Sequence, residues 1–340
     1  LAELLQTGHR WAVSELEKVG KGVVVGRLAP SPTGAQHVGN ARTYLLAWLS
    51  LRSRGGRVIL RIEDIDSPRV KQGADRQAVE DLRWLGFDWD EGPDRGGRNA
   101  PYVQTERLAI YREALRELQA RELVYPCTCT RSDVAAAASA PHVGQEGPIY
   151  PGLCAGRRVA DAASLDRPYA WRLRTRDVER LLVDRVAGER RCNVARELGD
   201  FVVARSDGAP AYQLAVVVDD HAMGVTEVLR GDDLLPSAFR QLELYEILGW
   251  QPPAFVHVPL VIGEDGRRLA KRHGDTRIST LRQAGVSAER FVGWLAWTCG
   301  LLPEPQPTTP HALLERFDLT HLPRQPLVFT DASLQELLRG

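Results

Sequence analysis

The sequence predicts an α/β protein organised around a parallel sheet, and three observations carry that prediction. A short apolar strand at 23–29, a turn rich in Pro and Gly, an apolar helix and a second strand at 58–62 follow one another within about 40 residues, which is a βαβ unit. Strand-like runs at 225–229 and 255–262 flank a helical pattern at 238–248 and repeat the alternation. The bulk is ordinary globular material: 340 residues, 44% hydrophobic and 26% charged, with 44 Lys+Arg against 44 Asp+Glu. That balance excludes extensive disorder and a strongly basic nucleic-acid coat, while leaving room for a local basic stripe.

In chain order, 1–22 reads as a polar helical lead-in. Pro30-Ser31-Pro32-Thr33-Gly34 is turn chemistry, with two fixed φ angles and a glycine free to take positive φ. Asn40 is the expected N-cap of a helix carrying Leu45, Leu46, Trp48, Leu49 and Leu51. Helices are expected at 74–85 and 106–122, and strands at 169–173 and 181–186. A hairpin is expected between 201–204 and 211–218, around Ser206-Asp207-Gly208. The last 65 residues or so read as helical with Pro-rich connections. The longest nearly apolar stretch, 291–302, falls short of the roughly 20 residues of a membrane span, and the N-terminus lacks a secretion signal. A cytoplasmic monomer with no membrane partner is expected.

Two patterns carry chemistry. His37-Val-Gly-Asn40 sits between the first strand and its helix, where parallel sheets bind ligands and a helix N-terminus offers N–H groups to anions. An imidazole there can donate to charge developing on a phosphoryl group. Cys127, Cys129 and Cys154 fall within 28 residues, a spacing that favours a tetrahedral zinc site over a disulfide; Cys192 and Cys299 read as ordinary buried residues.

Arg27-Leu-Ala-Pro-Ser-Pro-Thr-Gly34, then His37-Val-Gly-Asn40, then Arg61-Ile-Glu-Asp-Ile-Asp66, and on through Trp84-Leu-Gly-Phe-Asp-Trp-Asp-Glu91, closely resembles the opening of the glutamyl-type class I aminoacyl-tRNA synthetases. That family carries a "HIGH" motif here, in this chain with Val second and Asn last. Gly266-Arg-Arg-Leu-Ala-Lys-Arg-His273 is similar to its "KMSKS" loop, with Arg268 for the first Lys, Ala270 for Ser and Lys271 in the second lysine's slot. Only four of the 44 cationic residues are lysines, so composition alone does not supply one there, and an ammonium and a guanidinium are not interchangeable phosphate ligands.

The resemblance implies a Rossmann-like catalytic domain with a zinc-containing insertion and a short helical C-terminal region. It divides the chain into an N-terminal extension (1–22), a first Rossmann half (23–126), a zinc-binding insertion (127–160), an acceptor-type insertion with the second half (161–262), and the cationic loop with the C-terminal region (263–340). It implies catalysis and ATP binding by His37, Asn40 and Lys271, with Gly39 and Arg268 also at ATP. It implies glutamate binding by Arg27, Ala29, Ser31, Glu63, Tyr212 and Arg230, with Glu63 at the ammonium. Arg27 and Arg230 suit the two carboxylates, in an order the sequence leaves open. Asp219, Asp220 and His221 read either as site-facing or as structural. The fourth zinc ligand is His142 or Tyr150, and Tyr150-Pro-Gly-Leu-Cys154 favours Tyr150.

Three features are similar to one branch of the family, which attaches L-glutamate to queuosine in the anticodon of tRNA(Asp). They are Val216 in place of a common Asn, the Tyr-x-Gly-x-Cys pattern, and about 65 residues after the Lys271 loop, from which no anticodon-binding domain is expected. The implied partners are L-glutamate, ATP with Mg²⁺, tRNA(Asp) bearing queuosine, and one structural Zn²⁺. A truncated glutamyl-tRNA synthetase and a non-catalytic paralogue binding glutamate or RNA are the alternatives.

Overall fold

The computed structural model describes residues 22–32, 35–65, 70, 72–137, 149–269 and 276–338. The helical lead-in over 1–21, Gly34 of the first turn, Asp66, His142, Ala270 and Lys271 lie outside the described residues. The elements that position the site are, in chain order, β1 (Val25–Leu28), α1 (Val38–Arg52), β2 (Arg57–Leu60), α2 (Ala74–Trp84), α3 (Leu108–Ala120), β3 (Val124–Cys127), β4 (Ala170–Leu173), β5 (Glu179–Asp184), β6 (Gly188–Asn193), β7 (Phe201–Ala204), α4 (Tyr212–Ala222), β8 (Glu227–Gly231), α5 (Leu235–Leu248), β9 (Ala254–Val258), β10 (Val261–Ile262), α6 (Ala288–Thr298) and β11 (Leu327–Val328).

β1 and β2 pair in parallel, Val25 opposite Arg57 and Leu28 opposite Leu60. β8 and β9 pair in parallel, Glu227 opposite Ala254 and Gly231 opposite Val258. The Thr226 N–H donates to the Val25 carbonyl at 2.8 Å, and the Val25 N–H to Thr226 Oγ1 at 2.9 Å. These bonds set β1 beside β8, so the strands run β2-β1-β8-β9. No residue of α1 is exposed and most are buried, with Leu45, Leu46, Trp48 and Leu49 in one core with Phe291, Leu295 and Ala296 of α6. It lies so close to the sheet that a Cβ on Gly26 would meet Leu51 Cδ1 at 2.7 Å. A second core joins α4 and α5 through Leu214, Val217, Val218, Ala238 and Leu242, and includes Val25 and Val228 of the sheet. Two apolar layers around a parallel sheet are the doubly wound plan that the βαβ pattern implies.

Three expectations need correction. The apolar run at 211–218 is the helix α4 and not a strand, because this helix is buried around most of its girth and so loses the polar stripe that reveals a helical period. The run at 255–262 breaks into β9 and β10 around Pro259, which has no N–H to offer a ladder. The C-terminal region is not purely helical: β11 pairs in parallel with β10, Val261 opposite Leu327.

Beyond the main sheet, β3, β4 and β7 form an antiparallel sheet in that spatial order and carry Cys127 at the end of β3. The hairpin β5–β6 follows, its second strand hidden in the sequence by the exposed charges Glu189, Arg190 and Arg191. Among the described residues no helix is long and apolar enough to cross a membrane. Cys192 and Cys299 are buried, as expected.

Candidate active site

From β1 the chain crosses to β2 on one side, and from β8 to β9 on the other. At such a switch point the carboxyl ends of the strands open a crevice. Here it is a cavity of about 1280 Å³. Arg27, Ala29 and Ser31 line it from the end of β1, His37, Gly39 and Asn40 from the head of α1, and Glu63 from beyond β2. Tyr212 enters from α4, Arg230 from β8 and Arg268 from beyond β10. Leu269 and Thr276 also line the cavity.

At one end stands the head of α1. Its N-cap is His37, with an extended backbone at φ −123° and ψ 172°, and not Asn40. His37 Nδ1 accepts the Gly39 N–H at 3.1 Å, and the His37 N–H donates to Asn40 Oδ1 at 3.2 Å. The reciprocal cap displaces the helix start by three residues, which polar side chains on both sides of the boundary conceal from sequence reading. Gly39 keeps this turn close: a Cβ would lie 3.1 Å from His37 Cε1, tight enough to press on the imidazole, and 3.4 Å from Val261 Cβ. With Nδ1 engaged as an acceptor, the hydrogen-bond network assigns the ring proton to Nε2. Burial, then the Arg268 charge, lowers the His37 pKa to about 4, so the ring is neutral at pH 7.

The first turn of α1 carries no acidic residue, so the positive end of the helix dipole at the cavity is not offset by a carboxylate of its own turn. The loop ahead of α1 is tied to the far stem of the cationic loop: the Val38 N–H donates to the Thr276 carbonyl at 3.0 Å and the Ile278 N–H to the Gln36 carbonyl at 2.9 Å. Arg268 reaches back to Asp233, Nη1 to Oδ2 at 2.8 Å.

At the other end charge is buried. Arg27, Glu63 and Arg230 are each less than a tenth exposed. Arg27 Nη1 donates to the Leu229 carbonyl at 3.3 Å, and its Nε lies 3.6 Å from Asp220 Oδ1. Arg61, fully buried at 0% exposure, binds Glu63 Oε1 and Asp220 Oδ1, each at 2.8 Å through Nη2. Burial raises the Glu63 pKa against the opposing pull of Arg61 and Arg27. Burial likewise draws the Arg230 pKa below its ordinary value, and its Nη1 is buried without a partner.

Unpaired buried charge is costly, so an orphan guanidinium nitrogen on a cavity wall marks a place for an anion. Asp219 and Asp220, left open by the sequence, now separate. Asp219 is locked into the framework by Arg107 at 2.7 Å and by the Tyr111 hydroxyl at 2.9 Å. Asp220 backs Arg27 and Arg61 behind the site. His221 is exposed and stacks on Trp250 with ring centroids 4.0 Å apart. Val216 is buried one helical turn after Tyr212 and one before Asp220, on the same face of α4.

The cysteines converge on a second locus. Cys127, Cys129 and Cys154 bring their sulfurs within 4.8 Å of one another, a cluster able to hold a metal ion. The Tyr150 hydroxyl lies 3.4 Å from Cys127 Sγ and 3.8 Å from Cys129 Sγ, and Cys129 and Cys154 Sγ are 3.6 Å apart. Tetrahedral zinc with metal–sulfur bonds of about 2.3 Å separates sulfurs by about 3.8 Å and sets an oxygen about 3.5 Å from each. The donor set therefore has the size and chemistry that such an ion requires. The Tyr150 oxygen also accepts the Cys154 N–H at 2.8 Å, and the Arg172 guanidinium lies over the Tyr150 ring at 3.9 Å. Burial works against ionisation of Cys154, yet the Thr128 N–H, Tyr150 and the neighbouring thiols bring its pKa down to about 7.

The sequence model of the catalytic domain of tRNA synthetases class I (E and Q) matches residues 23–329. The chain belongs to that family. As a class I tRNA synthetase it is a ligase, of a class that uses ATP with Mg²⁺. It is 50% identical over 324 residues to the Glutamyl-Q tRNA(Asp) synthetase of Rhodopirellula baltica, covering 90% of this chain and 96% of that one. To the protein of the same name from Symbiobacterium thermophilum it is 51% identical over 324 residues, covering 94% and 99%. Among solved structures it is similar to the glutamate-tRNA synthetase of Elizabethkingia anophelis, with a TM-score of 0.79 at 29% identity, over 92% of this chain and 69% of that one.

Sequence reading of this class I synthetase missed Arg61 as the electrostatic hub, although it stands inside the quoted Arg61–Asp66 motif. The available signal was a cation closing an apolar strand just before an acid. It also missed His257 and Asp184, which meet Arg230 only through the fold.

Proposed function

We propose that this protein activates L-glutamate with ATP to glutamyl-adenylate and transfers the glutamyl group to queuosine in the anticodon of tRNA(Asp). The observation that carries the reading is one cavity holding both a carboxylate-seeking pair, Arg27 and Arg230 with Glu63 opposite charge beside them, and an anion-seeking helix head capped by His37. Near full-length likeness to proteins named Glutamyl-Q tRNA(Asp) synthetase supports the choice of acceptor.

In this reading Arg27 and Arg230 take the substrate's carboxylates and Glu63 its ammonium, with Ala29, Ser31 and Tyr212 shaping the pocket. The α-carboxylate, ionised at pH 7, attacks the α-phosphate in line and pyrophosphate leaves, so this step needs no general base. His37 Nε2–H, the Asn40 amide, the positive dipole end of α1, Arg268 and Lys271 stabilise charge on the transferring group and the leaving phosphates. Mg²⁺ bound with ATP would neutralise part of the triphosphate charge. Cys127, Cys129, Cys154 and Tyr150 would hold one Zn²⁺; four protein ligands leave no open position, so its role is to close the loop after β3.

The experiment is pyrophosphate exchange into ATP, dependent on glutamate, with and without tRNA. Exchange in the absence of tRNA is the expected outcome. Exchange only with tRNA(Glu) supports a truncated glutamyl-tRNA synthetase instead, and no exchange under any condition supports a non-catalytic paralogue.

A further inference from the structure

Arg230 is held differently from the other buried guanidinium groups at this site. Arg27 and Arg61 face carboxylates, whereas Arg230 Nε donates at 3.0 Å to Nε2 of His257, its register partner on β9. Nη2 donates to the Leu234 carbonyl at 3.3 Å, and Nη1 is buried without a partner. His257 is 1% exposed, and its Nδ1 lies 2.7 Å from Asp184 Oδ2 at the end of β5. Asp184 is itself fixed by the N–H groups of Val186 at 2.9 Å and Ala187 at 2.7 Å.

The chemistry of this chain runs one way. A carboxylate only accepts, so His257 must carry its proton on Nδ1, which leaves the Nε2 lone pair facing Arg230. A neutral imidazole fixes a guanidinium through one hydrogen bond, more weakly than a carboxylate would, but without cancelling its charge. Burial lowers the His257 pKa and keeps the ring neutral in spite of Asp184. Arg230 thus stays cationic, buried and fixed, with one nitrogen unsatisfied. That arrangement rewards a substrate carboxylate and offers less to a neutral carboxamide.

We propose that His257, locked in its tautomer by Asp184, is a positioning residue that orients Arg230 while preserving its charge, and so sets the preference for an acidic over an amide substrate. The proposal rests on the reading of Arg230 as a carboxylate-binding group.

The test is pyrophosphate exchange by His257→Leu, His257→Gln, His257→Glu and Arg230→Leu, with KM for glutamate, KM for ATP and kcat determined separately and folding checked by circular dichroism. His257→Leu should raise KM for glutamate about ten- to hundredfold while moving KM for ATP less than about twofold. His257→Gln, whose amide oxygen can accept from Nε, should recover most of that loss. His257→Glu orients Arg230 but neutralises it, and should stay as impaired as His257→Leu. If His257→Leu does not fold, the contrast between Gln and Glu decides.

The proposal is overturned if Gln and Glu behave alike, or if all variants shift kcat and both KM values together, as a purely structural histidine would. Arg230→Leu separates the two levels. If it leaves KM for glutamate unchanged, the carboxylate role of Arg230 falls. If it raises KM while no His257 variant does, only the positioning role falls.

Discussion

His37 and Asn40 hold one another at the head of α1: the His37 N–H donates to Asn40 Oδ1 at 3.2 Å, while His37 Nδ1 turns inward to accept the Gly39 N–H at 3.1 Å. One geometry thus caps the helix and aims the opposite ring edge at the cavity. It also gives a role to the asparagine that departs from the motif of related synthetases. Asn40→Ala should cost about 1 kcal/mol of stability, the usual net worth of one such bond, and should lower the exchange rate through a misplaced imidazole. Urea denaturation and exchange kinetics on the same preparation check both effects.

The same imidazole gives the protein a pH signature. Its pKa is about 4 in the fold against 6.5 in the unfolded chain, so between those values the unfolded state binds a proton that the native state refuses. The neutral ring's contribution is therefore complete above about pH 6.5 and is lost as pH falls towards about 4. Wild type should lose stability over that range more steeply than His37→Asn. A stability difference between the two proteins that is constant with pH contradicts the assignment.

Arg61 is the main cation partner of Glu63 and Asp220 and lies near a third buried carboxylate, Asp219. Its Nη2 lies 2.8 Å from both Glu63 and Asp220, and its Nε lies 3.7 Å from Asp219. Removing one partner from a buried ionic network leaves uncompensated charge, at a typical cost of about 3–5 kcal/mol. Arg61→Met should show a loss of that size in urea denaturation, and a loss below about 1 kcal/mol contradicts the hub role.

The cysteine cluster makes a compositional prediction. Purified protein should hold close to one zinc per chain, and Cys154→Ser should hold none after dialysis. Tyr150→Phe removes the oxygen that approaches two sulfurs and accepts the Cys154 N–H. It should surrender metal to a competing chelator sooner than wild type does. A folded wild-type chain free of metal contradicts the assignment.

What the sequence revealed and concealed follows from how far apart the cooperating residues lie. The βαβ start, the loop after β1 and the cysteine spacing depend on neighbours within a few tens of residues, and each is written in local pattern. The helix α4 was hidden because Leu214, Ala215, Val216, Val217 and Val218 are all buried, and an uninterrupted apolar run has no period to read. The N-cap was misplaced because Asn is a preferred cap by type and His is not, and only the bonds between His37 and Asn40 show the asparagine to be the third helical residue. The link from Asp184 through His257 to Arg230 joins three strands across 73 and 27 positions; the parallel register of β8 and β9 and the packing of the end of β5 against β9 bring it together.

The acceptor is tested most directly by incubating the protein with ATP and radiolabelled L-glutamate in the presence of three purified RNAs: tRNA(Asp) bearing queuosine, tRNA(Asp) lacking it, and tRNA(Glu). Label on the queuosine-bearing tRNA(Asp) alone is the expected result. Label on tRNA(Glu), or on tRNA(Asp) irrespective of queuosine, contradicts the proposed function.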